Sequence, residues 1–147
     1  MHNMTSADVV AEARSWIGTP FHWQASLKGV GCDCKGFVAG VARELGLPEA
    51  SGLYANISDY GAVVPVHLLR QGLAATLTRA TEMQPGDVLL MNAGGKPQHL
   101  GIFTGEAVLH CWGRGEPRNR SVLPHPTRVA MKAWPVDSIW RFGSLDG

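Results

Sequence analysis

Cys34-Lys35-Gly36-Phe37-Val38-Ala39-Gly40-Val41-Ala42-Arg43-Glu44-Leu45 is the stretch whose reading decides the fold. Phe37, Val38, Val41 and Leu45 recur at helical spacing, and Gly46 followed by Pro48 supplies a stop signal, so the spacing predicts a helix with Cys34 in its first turn. Unpaired backbone N–H groups at that end carry partial positive charge and favour thiolate over thiol. Cys34 is therefore expected to react at a lower pH than an ordinary thiol. The plain alternative is a small buried hydrophobe, the usual fate of a lone cysteine.

An imidazole is available from two later segments. Gln98-His99-Leu100-Gly101-Ile102-Phe103 alternates as a strand, with His99, Gly101 and Phe103 on one face and Leu100 and Ile102 on the other. Gly101, bare and on the His99 face, is expected to let the Cys34 helix approach. After a Thr104-Gly105 turn, Glu106-Ala107-Val108-Leu109-His110-Cys111-Trp112 pairs back as a hairpin that turns Val108, His110 and Trp112 to one side. Two neighbouring strands thus present His99 as a base and His110 as the group that orients it, the arrangement nucleophilic cysteine catalysis requires. The remaining histidines, His2, His22, His67 and His125, are read as ordinary surface or core residues.

The residues resemble the NlpC-type peptidoglycan peptidases, a compact papain-like family. The resemblance rests on Gly18-Thr19-Pro20-Phe21, Asp33-Cys34-Lys35-Gly36-Phe37-Val38, Pro85-Gly86-Asp87-Val88, His99-Leu100-Gly101-Ile102-Phe103 and Val108-Leu109-His110, in that order along nearly the whole chain. It implies a Cys34 nucleophile, His99 as general base and acid, and His110 as the third, polar member. It further implies hydrolysis of stem peptides at the γ-D-glutamyl to diamino-acid bond. Within the family, the stretch from Gln24 to Cys34 looks most like the small wall peptidases encoded with phage tails and gene transfer agents.

Three positions depart from the family pattern. Phe21 replaces a tyrosine, which leaves oxyanion stabilisation to backbone N–H groups such as that of Cys34. Lys35 replaces the common serine, and its charge is expected either to lower the Cys34 pKa or to meet a substrate carboxylate, unless it is merely a solvated lysine. Trp23 stands where phage-type relatives tend to carry histidine. Asp33, Lys35, Trp23 and Trp112 are the candidates for binding the peptide, with plain alternatives in helix capping for Asp33 and core packing for the tryptophans.

At 147 residues, 45% hydrophobic and 17% charged, the chain fits one catalytic domain over residues 1–147. A net charge of +1 points to no nucleic-acid partner, and the basic positions Arg114, Arg118, Arg120 and Arg128 read as a solvated loop, with contact to carboxylates of a cell-wall peptide as the alternative. No apolar run is long enough to span a bilayer, and the first residues lack the pattern of a secretion signal, so a cytoplasmic product is expected. Such a wall enzyme would reach its substrate on a phage-like particle or by lysis. Three cysteines do not make a disulfide framework, and no cofactor is implied.

Thr5 is expected to cap a first helix with Asp8 at its third position and Val9, Val10, Ala13, Trp16 and Ile17 on its apolar side until Gly18. Residues from Gly46 to Gly61 read as an irregular surface segment, and Pro65 opens a short helix that Gly72 closes. Strands are expected near Asp87–Met91, Leu100–Thr104, Ala107–Trp112, Arg120–Leu123 and Ser138–Phe142. Helices first and strands afterwards predict an α+β fold, papain-like, with the nucleophile helix packed on an antiparallel sheet. Three rivals remain: a metal-binding module of Cys32, Cys34, His110 and Cys111, whose spacing suits zinc poorly; an inactive structural tail component; and a Cys34 acyltransferase.

Overall fold

The computed structural model describes residues 3–58 and 65–146; His2 and positions 59–61 of the predicted irregular segment lie outside the described residues. Helix α1, Ser6–Ser15, opens on the predicted capping box: the Thr5 hydroxyl accepts from the Asp8 N–H while the Asp8 carboxylate accepts from the Thr5 N–H. Val9, Val10, Ala13 and Trp16 are buried, whereas Ile17, expected on the same stripe, is exposed. Gly18 ends the turn with a φ of +90°, a conformation that side chains resist.

A two-stranded hairpin, β1 (Ser26–Leu27) and β2 (Gly31–Cys32), leads into α2, Cys34–Glu44. Every α2 residue from Cys34 to Ala42 is buried, so this helix is the centre of the core rather than an amphipathic surface element. Two glycines let it be central. A Cβ on Gly40 would fall 2.2 Å from the Trp16 ring, and one on Gly36 would fall 2.0 Å from the Ala25 carbonyl oxygen. Both positions are therefore closed to side chains, the first by α1 and the second by the loop ahead of β1.

The segment after α2 corrects the expectation of an irregular surface. It forms α3, Glu49–Leu53, and a π-helical turn, Tyr54–Ser58, whose Leu53 and Ile57 are fully buried. Helix α4, Val66–Thr76, runs past Gly72 instead of stopping there. Gly72 is needed for packing: an added Cβ would lie 2.5 Å from the Asn56 carbonyl oxygen of the π turn.

The second half is a six-stranded antiparallel sheet in the order β3-β8-β4-β5-β6-β7, formed by β3 (Thr78–Ala80), β4 (Val88–Ala93), β5 (Lys96–Phe103), β6 (Ala107–Cys111), β7 (Val122–Pro126) and β8 (Val136–Arg141). The expected α+β architecture is present, with α2 packed on the Leu100, Ile102 and Leu109 face. A short helix, α5 (Thr127–Ala133), lies against β6 and β7, and its Ala130 joins Leu89, Met91, Phe103 and Val108 in a second core on the opposite face. Gly101 belongs to that second face. Its missing side chain makes room for Met91 and Val108, at 2.8 and 2.7 Å from a built Cβ, and not for the Cys34 helix as the sequence suggested.

The Pro85-Gly86-Asp87-Val88 motif has a structural role. Buried Asp87 accepts from Arg141 Nε and Nη2, both at 2.8 Å, and from the Gln84 N–H, tying the start of β4 to the end of β8.

Candidate active site

The turn that begins α2 is fixed by Asp33. One carboxylate oxygen accepts from the Gly36 N–H at 2.7 Å and caps the helix; the other accepts from the Gln24 N–H at 2.9 Å and holds the preceding loop. Gln24 takes a left-handed backbone, φ +62°, to make that contact. Both oxygens of this buried side chain are committed to the chain itself, and Asp33 does not line the cavity described below. Of the two readings of Asp33, capping describes its contacts, and peptide binding does not.

Cys34, Lys35, His99, Phe21, Trp23, Trp112 and Arg114 all wall one cavity at this end of α2. Cys34 is 8% exposed and is reached from that cavity. Gly36 and Phe37 spend their N–H groups on Asp33, while the Cys34 and Lys35 N–H groups have no protein acceptor among the described residues. They are available to a developing oxyanion.

Lys35 is not the solvated residue its chemistry alone suggests. It is only 4% exposed, makes no ion pair among the described residues, and lies in the cavity wall close enough to affect both Cys34 and His99. The cavity wall holds Lys35 and Arg114 and no carboxylate. Arg118 and Arg128 are exposed and outside it, and Arg120 donates to the Gly115 carbonyl. Trp23, 55% exposed, stacks edge-on against Phe21, and Trp112 packs edge-on against His99 with ring centres 5.0 Å apart. The Phe21 ring lies over Gly113, where a Cβ would come within 2.5 Å of it. Both tryptophans are cavity residues and neither is part of the central core.

Behind His99 stands a line of imidazoles. His99 Nε2 and His110 Nδ1 are 2.8 Å apart, and His110 Nε2 and His125 Nδ1 are again 2.8 Å apart. The order follows from the strands: Gly101 pairs with His110 across β5 and β6, and Val108 pairs with His125 across β6 and β7, so the three rings share one sheet face. Trp134, just after α5, packs against all three, at 5.8, 4.6 and 5.6 Å between ring centres. His125 and Trp134 escape a reading of the sequence. Pro124 and Pro126 argue against a strand there, yet β7 is the edge of the sheet, where prolines are tolerated. Alternation carried on from Leu123 would have placed His125 beside His110.

Burial corrects the expected acidity of the thiol. Desolvation pushes Cys34 above the ordinary thiol value, with the Lys35 charge and the Leu100 backbone pulling the other way. Desolvation, then His110 and Lys35, hold His99 well below the usual imidazole value, and burial followed by His125 pushes His110 down to about 3. At neutral pH these shifts favour a thiol and a neutral imidazole in the wall of the one cavity. Cys111, also in the cavity wall, donates its S–H to the Cys32 carbonyl at 3.2 Å, and that interaction with burial raises its pKa and disfavours its thiolate. All three cysteines are free. His110 and Cys111, adjacent on β6, belong to opposite faces, and among the described residues no group of three or more His, Cys, Asp or Glu side chains is placed to hold a metal ion.

Among the described residues no helix is long and apolar enough to cross a membrane. No curated protein matches the chain. The solved structures that share its fold include two NlpC domains. The NlpC/p60 domain of the peptidoglycan hydrolase SagA superposes with a TM-score of 0.55 at 24% identity, covering 93% of this chain and 98% of that one. NlpC2 from Trichomonas vaginalis superposes with a TM-score of 0.63 at 17% identity, covering 97% of this chain and 48% of that one. The sequence model of the NlpC/P60 family matches residues 18–123, which include the capped Cys34 turn, His99 and His110. With that match over most of its length, this chain belongs to the NlpC/P60 family.

Proposed function

We propose that the chain is a cysteine endopeptidase that hydrolyses peptidoglycan stem peptides, with residues 1–147 acting as one catalytic domain. The observation that carries the reading is the shared cavity: a reachable Cys34 thiol at a capped helix start, His99 in the same wall, and His110 bonded behind it. Family membership and the SagA likeness support peptidoglycan as the substrate.

In this reading His99 Nδ1 takes the Cys34 proton as the sulfur attacks the peptide carbonyl. The free N–H groups of Cys34 and Lys35 receive the oxyanion. His99 then protonates the leaving amine, and water deacylates the thioester with His99 as base. Because burial disfavours a standing thiolate–imidazolium pair, the thiolate forms during attack and is not stored beforehand. Lys35 and Arg114 suit a substrate carboxylate near the scissile bond, and Trp23 and Trp112 suit flanking peptide surface. The γ-D-glutamyl to diamino-acid bond meets that description, since its acyl side carries a free α-carboxylate. Carriage to the wall on a phage-like particle is part of the same proposal and would be checked by detecting the chain in purified particles.

Digestion of purified peptidoglycan, with fragments identified by mass, tests the reading. The wild type should release peptides ending at D-glutamate and Cys34→Ala should release none. Equal fragments from both would remove Cys34 as nucleophile, and no cleavage by a folded wild type would favour the structural-component reading.

A further inference from the structure

We propose that His125 is a positioning residue at the outer end of a three-imidazole relay, and that it takes up the positive charge created when His99 accepts a proton. The inference rests on the reading of His99 as the base for Cys34. Its geometry is the unbroken line His99 Nε2 to His110 Nδ1 and His110 Nε2 to His125 Nδ1, each 2.8 Å.

A neutral imidazole carries one N–H, so each of these contacts holds one proton and the line has two arrangements. In the first, His99 donates from Nε2 to His110 Nδ1, and His110 donates from Nε2 to His125 Nδ1. Every outward bond is made, and His99 Nδ1 is left with a lone pair. In the second, every proton is carried by the opposite partner, and His99 Nδ1 bears hydrogen and is no base.

Proton uptake from the thiol converts the first arrangement into the second with one proton more, His125 then bearing both Nδ1–H and its original Nε2–H as the imidazolium. A new N–H bond forms at His99 Nδ1. The His99 Nε2–H bond breaks as His110 Nδ1–H forms, and the His110 Nε2–H bond breaks as His125 Nδ1–H forms. Three rings and one added proton are conserved, and the charge has moved from a nearly sealed ring to a half-buried one next to solvent. Burial disfavours charge on His99 and on His110, which gives the outer ring its purpose. The reverse shift returns the proton to His99 Nδ1 for the leaving amine.

The surroundings of His125 leave it free to serve. His110 on β6 is its hydrogen-bonded titratable neighbour, and Trp134 covers it without charge. The charged side chains on the elements packed around β7, Glu106 before β6 and Arg128 and Lys132 on α5, are exposed. A proton that the line takes from solvent is accommodated by the same shift and occupies the lone pair of His99 Nδ1, which removes the base.

The test uses the full chain and two variants. His125→Gln offers an amide oxygen to His110 Nε2–H but takes no proton, and His125→Ala offers nothing. Nitrogen-15 NMR of the histidine rings reads the relay without substrate: on acidification of the folded protein, His99 and His110 should change together from Nε2–H to Nδ1–H in the wild type and stay Nε2–H in His125→Gln. In hydrolysis, His125→Gln should lose about tenfold in kcat, a modest share of the effect of a general base, with KM unchanged and without the wild-type acid limb. His125→Ala should lose at least as much kcat. Wild-type rings whose tautomers ignore pH would overturn the relay even if either variant fails to fold. So would a His125→Gln variant with wild-type kcat and acid limb. Absence of any hydrolysis by wild type would count against the peptidase reading alone, because the tautomer measurement stands apart from it.

Discussion

Acidification from pH 7 to pH 5 should cost the fold about 2 kcal/mol through His110 alone. His99 and His110 are buried and held neutral, His110 down to about pH 3, whereas in the unfolded chain each returns to an imidazole value near 6.5. The unfolded chain therefore binds protons that the folded chain does not, so stability is full above pH 7 and falls as pH drops through 6.5. Integrating the His110 ring from pH 7 to 5 gives about 2 kcal/mol, a sizeable part of the stability of a small domain, and His99, shifted in the same direction, adds to the loss. For His110 the loss continues until about pH 3, where the folded ring protonates as well. Asp137, which Arg70 holds below the usual carboxylate range, responds at lower pH and does not confuse the measurement. Urea unfolding at pH 7, 6 and 5 measures the loss directly, and a His110→Asn variant should lose about 2 kcal/mol of the pH dependence whatever its own stability. A wild-type stability that changes by less than about 1 kcal/mol over this interval would refute the claim that His110 is buried and neutral.

Gly36→Ala should lower stability by about 3 kcal/mol in thermal or denaturant unfolding, because the new methyl overlaps a backbone carbonyl that cannot move without taking Asp33's loop contact with it. Lys35→Met removes the main influence that lowers the Cys34 pKa, so the pH midpoint of Cys34 alkylation by iodoacetamide should move upward; an unchanged midpoint would contradict the placement of that ammonium. In the same alkylation of folded wild type, mass analysis should find Cys34 modified well before Cys32 or Cys111. Asp87→Ala leaves Arg141 without its paired carboxylate and the Gln84 N–H without its acceptor, and should cost about 3 kcal/mol, read as a lower urea midpoint.

Local chemistry explains which parts of this structure could be read from the residues. The Thr5 capping box, the helix from Cys34 and the strands around His99 and His110 declare themselves through spacing and caps, and these suffice for the α+β fold. What spacing does not carry is burial. The residues from Glu49 to Ser58 lack periodicity because Leu53 and Ile57 face the core from a short helix and a π turn, neither of which repeats long enough to leave a pattern. Gly72 reads as a stop signal, although its real constraint is a distant carbonyl. At the site, helix position predicts an acidic Cys34, but desolvation is the larger influence and reverses the direction. Asp33, Lys35, Trp23 and Trp112 were nameable from their nearness to Cys34 and His110, whereas His125 depends on an edge strand that its two flanking prolines disguise.

The most direct measurement of the central claim is single-turnover cleavage of a synthetic stem peptide by wild type, Cys34→Ala and His99→Ala under identical conditions. Loss of the nucleophile or of its base should reduce the rate by at least about a thousandfold in each variant. A rate within tenfold of wild type in either would contradict a Cys34 and His99 mechanism in this cavity.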